Sequence, residues 1–193
     1  MGSEPAPISG IRFLPIGPID RDLVEAVVSR VSGRVALPCR LGPPVRDSGW
    51  LLVNGRQQID ADAMLVWLET HHLPGHDLIV GLTMDDIGTS LFSFIFGRSR
   101  LNSRVALVSL ARLRPEYYGL PADVDLTLRR ACAEVLHEAG HALGLIHCVD
   151  IACLMKFATN VESIDLRGET FCAECRRRLQ GDLLADGQDL IVS

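Results

Sequence analysis

Two histidines four residues apart, a glutamate after the first, and a glycine and a third histidine at fixed distances beyond constrain this 193-residue chain more than anything else in it. The run is His137-Glu138-Ala139-Gly140-His141-Ala142-Leu143-Gly144-Leu145-Ile146-His147. A spacing of four places both imidazoles on one face of a helix, one turn apart, where they can reach a common ion. Gly144 ends that helix, because a residue without Cβ enters a left-handed C-terminal turn at little cost. His147, three residues further on, returns as a third ligand without a long loop. Three protein ligands leave a fourth position for water, which is the form of a catalytic zinc site. Glu138 follows the first ligand and can lean toward that open position, accepting the proton of the bound water as general base. Histidine pairs on helices also serve as core or solvated faces; the complete pattern, with an acid beside the first ligand, separates this run from them.

The four cysteines Cys148, Cys153, Cys172 and Cys175 follow closely. Two pairs of thiolates, one of them C-x-x-C, match a closed tetrahedral zinc site that locks structure and leaves no place for water. Unliganded thiols or a redox pair at the C-x-x-C are the alternatives, and the latter lacks the βαβ context it usually has. Two zinc ions per chain are therefore expected, one catalytic and one structural. Because Cys148 is next to His147, the second site should pin the backbone of a catalytic ligand. Cys39 and Cys132 have no spaced partners and read as core thiols.

The rest of the chain is ordinary in composition. Apolar residues make up 48% and charged residues 22%, which suits a soluble globular domain with a sizeable core. The net charge of -5 argues against a nucleic-acid or anionic-membrane partner, since both need a basic face. No apolar run is long enough for a transmembrane helix, and the first residues lack the basic start of a signal peptide, so a cytoplasmic monomer is expected. A mixed α/β pattern emerges along the sequence. Strands are predicted at 11–16, 35–38, 50–53, 78–84, 91–96 and 105–110, with a loop at 42–48. Helices are predicted at 22–31 behind an Asp20 cap, at 60–71, from Asp123 to about residue 143, and at 173–184. The chain reads as one catalytic domain over 1–193, with an α/β lobe at 1–144 and a small cysteine-bearing lobe at 145–193. Residues 91–96 read as an edge strand to which an extended peptide can add. Tyr117 and Tyr118 read as surface anchors or as donors to an oxyanion. His71, His72 and His76 read as a solvated cluster, and Arg98, Arg100, Arg104 and Arg176 to Arg178 as solvated faces.

The pattern H-E-x-x-H-x-x-G-x-x-H over residues 137–147 is the metzincin signature, and Met155 resembles the methionine of the metzincin Met-turn. His147-Cys148, Cys153-Leu154-Met155 and Cys172-Ala173-Glu174-Cys175 make the chain similar to the archaemetzincins, a resemblance that spans most of its length. It implies a metzincin-like mixed sheet with an active-site helix, and a strand rim above the site formed by the stretch from Leu91–Gly97 through Val105 to Leu113. It also implies that Met155 packs beneath the imidazoles without ligating. The implied activity is a zinc metallopeptidase, endopeptidase or aminopeptidase, acting on peptides or unfolded chains. A zinc-stabilised binding module with a peptidase fold and little turnover is the rival.

Overall fold

The computed structural model describes residues 8–45, 52–72, 75 and 77–183. In chain order these form β1 (Gly10–Ile16), α1 (Arg21–Ser32), β2 (Cys39–Leu41), β3 (Ile59–Asp60), α2 (Ala61–His72), β4 (Asp77–Thr83) and β5 (Ile87–Gly88). Then come β6 (Gly97–Ser99), β7 (Val105–Ser109), α3 (Val124–Ala142), α4 (Val161–Leu166) and α5 (Ala173–Leu183). The main sheet runs β2-β1-β4-β7-β6, parallel except for β6, which pairs antiparallel with β7 and ends the sheet on one side. β3 and β5 pair in a separate parallel ribbon.

Alternation along the strands explains how helices cover both faces of the sheet. Ile11, Phe13, Leu78, Val80, Leu82, Ala106 and Val108 share one core with α1 and α3. Leu14, Ile16, Ile79, Val105 and Leu107 share the other with Met64, Leu65 and Leu68 of α2. Successive strand residues point to opposite faces, so a strand buried on both sides reads as a continuous apolar run. Helix α1 turns Val24, Val27 and Val31 inward, and its Asp20 cap accepts from the backbone N–H of Leu23 at 3.0 Å. Leu154, Met155, Phe171, Cys175 and Leu179 join the same core as α3, so the segment after the long helix packs directly on it.

The expected mixed sheet with a long helix is present, with local corrections. The strand predicted at 35–38 forms just beyond it, as β2 over Cys39–Leu41. Leu52 makes only an isolated bridge to Ile59, while Trp50 and Leu51 lie outside the described residues. Residues 91–96 are not the edge strand: only Ile95 bridges, to Ile87, and the edge is β6 just beyond. The stretch is held instead by side chains. Gln58 donates to the Ser93 carbonyl, and Arg56 donates to the carbonyls of Phe92 and Thr89. Arg112 lies 4.1 Å above the Phe94 ring while pairing in bidentate fashion with Asp86.

Candidate metal centres

Helix α3 carries the first two histidines and is built to stop where it does. Asp123 caps its start by accepting from Leu126 N–H. At its end Gly144 takes φ +93°, its N–H reaches the His141 carbonyl at 2.9 Å, and Leu145 N–H reaches Gly140 at 2.8 Å. These are the two bonds of a Schellman motif, which only a residue tolerant of positive φ closes cheaply. The turn has a second effect. It presents the Leu145 carbonyl to His141, whose Nδ1 donates to it at 2.7 Å. His137 is held likewise, with Nδ1 donating to the Leu154 carbonyl at 2.9 Å. A carbonyl only accepts, so each Nδ1 carries the proton and each Nε2 presents a lone pair.

Those lone pairs converge. His141 Nε2 lies 3.1 Å from His137 Nε2 and 3.2 Å from His147 Nε2. Two nitrogens sharing a tetrahedral zinc at its usual bond length would stand about 3.3 Å apart. Burial makes all three imidazoles less basic than usual, and the positive charge of Arg167 adds to this, which favours their neutral form. Neutral imidazoles facing one another across such distances repel unless a cation lies between them, and the donor set fits zinc. Met155, fully buried, packs against the helix between the first two histidines: a Cβ added at Gly140 would lie 2.6 Å from its Sδ. His147 is flanked by Phe157, the ring centroids 4.7 Å apart.

Glu138 is buried between α3 and β6. Burial pushes its carboxyl up to about 8, the charge of Glu134 one turn earlier adding to this, while Ser99, Arg167 and Arg98 oppose it. Ser99 Oγ donates to Glu138 Oε2 at 2.6 Å. Glu134 is itself neutralised by Arg167, a buried pair at 2.6 Å that joins the active-site helix to the residue closing α4.

The four cysteines form the second cluster. Their Sγ atoms all lie within 4.8 Å of one another, as do the ligand nitrogens of the three histidines within theirs. Cys153 Sγ accepts N–H bonds from Met155 at 3.4 Å and Cys172 at 3.3 Å, the contacts that favour a thiolate. Backbone N–H donation from Cys175 lowers the Cys172 thiol, whereas burial raises those of Cys153 and Cys175. Four sulfurs so close without a disulfide fit a soft cation such as zinc.

Residues 23–181 match the sequence profile of Peptidase family M54. The chain belongs to that family. Its relatives include the archaemetzincin of Methanocaldococcus jannaschii, 34% identical over 90% of this chain and 94% of that one. Among solved structures, the archaemetzincin of Methanopyrus kandleri superposes with a TM-score of 0.74 at 28% identity, over 90% of this chain and 96% of that one. A zinc-dependent peptidase from Methanocorpusculum labreanum gives 0.69 at 26% identity, over 88% and 100%. The resemblance read from the motifs is thereby established, and with it a zinc metallopeptidase of the archaemetzincin fold.

Other expected residues sort as follows. Cys132 is a buried thiol pushed up to about 11 by burial, in keeping with a core role, and Cys39 is half-buried. Tyr118 donates to the Arg112 carbonyl at 3.0 Å, and the Tyr117 ring lies against the Arg112 guanidinium, so both serve that cluster. His71 stacks on Trp67, His72 lies tilted against the same ring, and His76 lies outside the described residues. Arg98 and Arg100 are clamps rather than a free face, pairing with Asp62 and Glu69 of α2. Arg104 donates to the Gly75 carbonyl, while Arg177 and Arg178 pair with Glu174. The sequence reading placed Gly97 in the strand rim without giving it a role, and gave none to Ser99, Glu134 or Arg167. Glu134 had a signal, an acid three residues before a ligand on the inward face of the helix; Ser99 had none, its partner being 39 residues away.

Proposed function

We propose that His137, His141 and His147 hold the catalytic zinc and that Glu138 is the general base of peptide hydrolysis. The observation that carries this is the convergence of three Nε2 atoms, two of them with Nδ1 committed to backbone carbonyls, at the end of the helix that also carries Glu138. When bound there, zinc supplies Lewis acidity toward a carbonyl and makes water more acidic. Glu138 takes the proton from the attacking water and returns it to the departing amide nitrogen, splitting one costly proton transfer into two short ones. Leu154 and Leu145 carbonyls keep the first two imidazoles in the ligating tautomer. Cys148, Cys153, Cys172 and Cys175 hold a second, structural zinc, giving two ions per chain, and Met155 supports the floor of the first site.

The substrates proposed are extended peptides or unfolded chains. Strand β6 is the sheet's terminal strand beside α3, and its backbone can pair with a peptide by strand addition. Such pairing engages backbone rather than a chain end, which favours internal bonds, so N-acetylated peptides should be cut as fast as free ones. No helix among the described residues is long and apolar enough to cross a membrane.

The test compares zinc-loaded wild type with Glu138→Gln on a broad peptide library. Cleavage should fall by about a hundredfold to ten-thousandfold in the variant, with bound zinc and circular dichroism unchanged. A fully loaded wild type that cuts nothing would instead favour the binding module.

A further inference from the structure

Glu138 sits on α3, yet its carboxylate is shaped by β6. Ser99 Oγ donates to Oε2 at 2.6 Å, at the short, strong end for a hydroxyl on a carboxylate. Two residues earlier, on the same face of the strand, Gly97 presents no side chain. A Cβ there would lie 2.5 Å from Glu138 Cγ and 2.9 Å from Oε1. Arg98, between them, is drawn away to Asp62 on α2 at 2.9 Å. The strand is thus cut away at 97, polar at 99 and anchored from behind at 98, all around one carboxylate.

We propose that Ser99 is a positioning residue for the peptidase reaction: its hydroxyl fixes Oε2 of Glu138, so that Oε1 is the oxygen that takes and returns the proton. This rests on the reading of Glu138 as general base. The terminal torsion of a glutamate is broad and nearly two-fold, so a buried carboxylate with no fixed partner spreads over orientations. One strong bond to a strand residue removes that freedom before substrate arrives, which is worth rate rather than affinity. Strand geometry adds a consequence. The strand that would lend its backbone to the peptide also sets the base, through the Ser99 hydroxyl and the space left at Gly97 on its inner face, so scissile bond and base are measured from one rigid element.

The experiment uses zinc-loaded full-length protein as Ser99→Ala, Ser99→Thr, Glu138→Gln and the double variant Ser99→Ala with Glu138→Gln, assayed on one peptide. Ser99→Ala should lower kcat by about tenfold to a hundredfold, the worth of one hydrogen bond to a charged group, with KM and zinc content unchanged. Ser99→Thr keeps the hydroxyl and should recover most of the rate. In the Glu138→Gln background, Ser99→Ala should cost nothing further. Should Ser99→Ala fail to fold, Ser99→Cys, close in shape but a weak donor, should show the same loss. A wild-type or higher kcat in folded Ser99→Ala overturns the inference, as does equal loss in Ser99→Thr, which would make strand shape the cause. Full activity in Glu138→Gln would instead overturn the assignment of the base itself, a separate outcome.

Discussion

What the first two imidazoles of the triad do is decided by their other nitrogen. With Nδ1 of His137 and His141 committed to backbone carbonyls, the rings cannot swap tautomers without losing a buried hydrogen bond. Burial makes these rings harder to protonate and makes the Glu138 carboxyl harder to ionise, so the two kinds of group move apart: the histidines go below their ordinary 6.5 and the glutamate goes up toward about 8 before any cation pulls it back. Metal release needs protonated histidines, and their proton competition begins only as pH falls through the lowered values, below 6.5. With Glu138 as the proposed general base, turnover needs it ionised, so descending pH should remove activity first, reversibly, and zinc second. Following peptide cleavage and indicator-captured zinc on one sample checks the order; zinc leaving above pH 7, or before activity, would contradict it. These residues were legible in sequence because a metal motif is written in local spacing. Ser99 and Arg167 were not, because they meet Glu138 and Glu134 across 39 and 33 residues and nothing local to them signals a partner.

Elements are positioned here by a few long-range polar bonds as much as by apolar burial. Helix α3 was readable from Asp123 to Gly144 because cap, apolar period and terminating glycine all agree with the fold. The stretch 91–96 was misread because alternating aromatics imitate a strand, whereas its carbonyls are in fact satisfied by Arg56 and Gln58 from another part of the chain. Arg167 and Glu134 do the same between α3 and the end of α4, with side chains 1% and 7% exposed. Water cannot replace either partner at that depth. Removing the arginine leaves an uncompensated buried carboxylate beside the histidine triad, at a cost of about 3–5 kcal/mol, whereas removing both charges with apolar residues of similar volume is often nearly neutral. Arg167→Met should therefore lower the melting temperature of the zinc-loaded protein by about 6–20 °C. Adding Glu134→Leu to it should restore most of that loss in a thermal melt. A double variant as unstable as the single would show that the pair is held for geometry that apolar packing cannot reproduce.

Across the whole molecule the two ligand sets are separate in chemistry and joined in backbone. Residues 153–155 touch both: Cys153 offers a sulfur to the second cluster, Leu154 orients His137, and Met155 fills the notch beneath Gly140. The segment carrying the third histidine is tied to them, since Cys148 N–H donates to the Met155 carbonyl at 2.9 Å, immediately after His147. Dependence between the sites should consequently run one way. Two of the three histidines belong to a long, doubly capped helix whose form does not need the ion, so emptying the set should leave α3 and the cysteine cluster in place. The cysteine set closes a short, irregular segment with few elements of its own, and a closed thiolate site contributes folding free energy directly. Its loss should release residues 148–155, and with them the third histidine, the carbonyl that orients the first and the methionine floor. Cys172→Ser should accordingly lower the melting temperature by a large margin and weaken zinc at the histidines as well, whereas His141→Ala should lose one zinc of two while keeping the near-ultraviolet circular dichroism of the wild type. Elemental analysis and dichroism of the two variants decide the matter. Cys172→Ser that melts like wild type, or His141→Ala that also empties the cysteine cluster, would remove the asymmetry and with it the structural role given to the second metal.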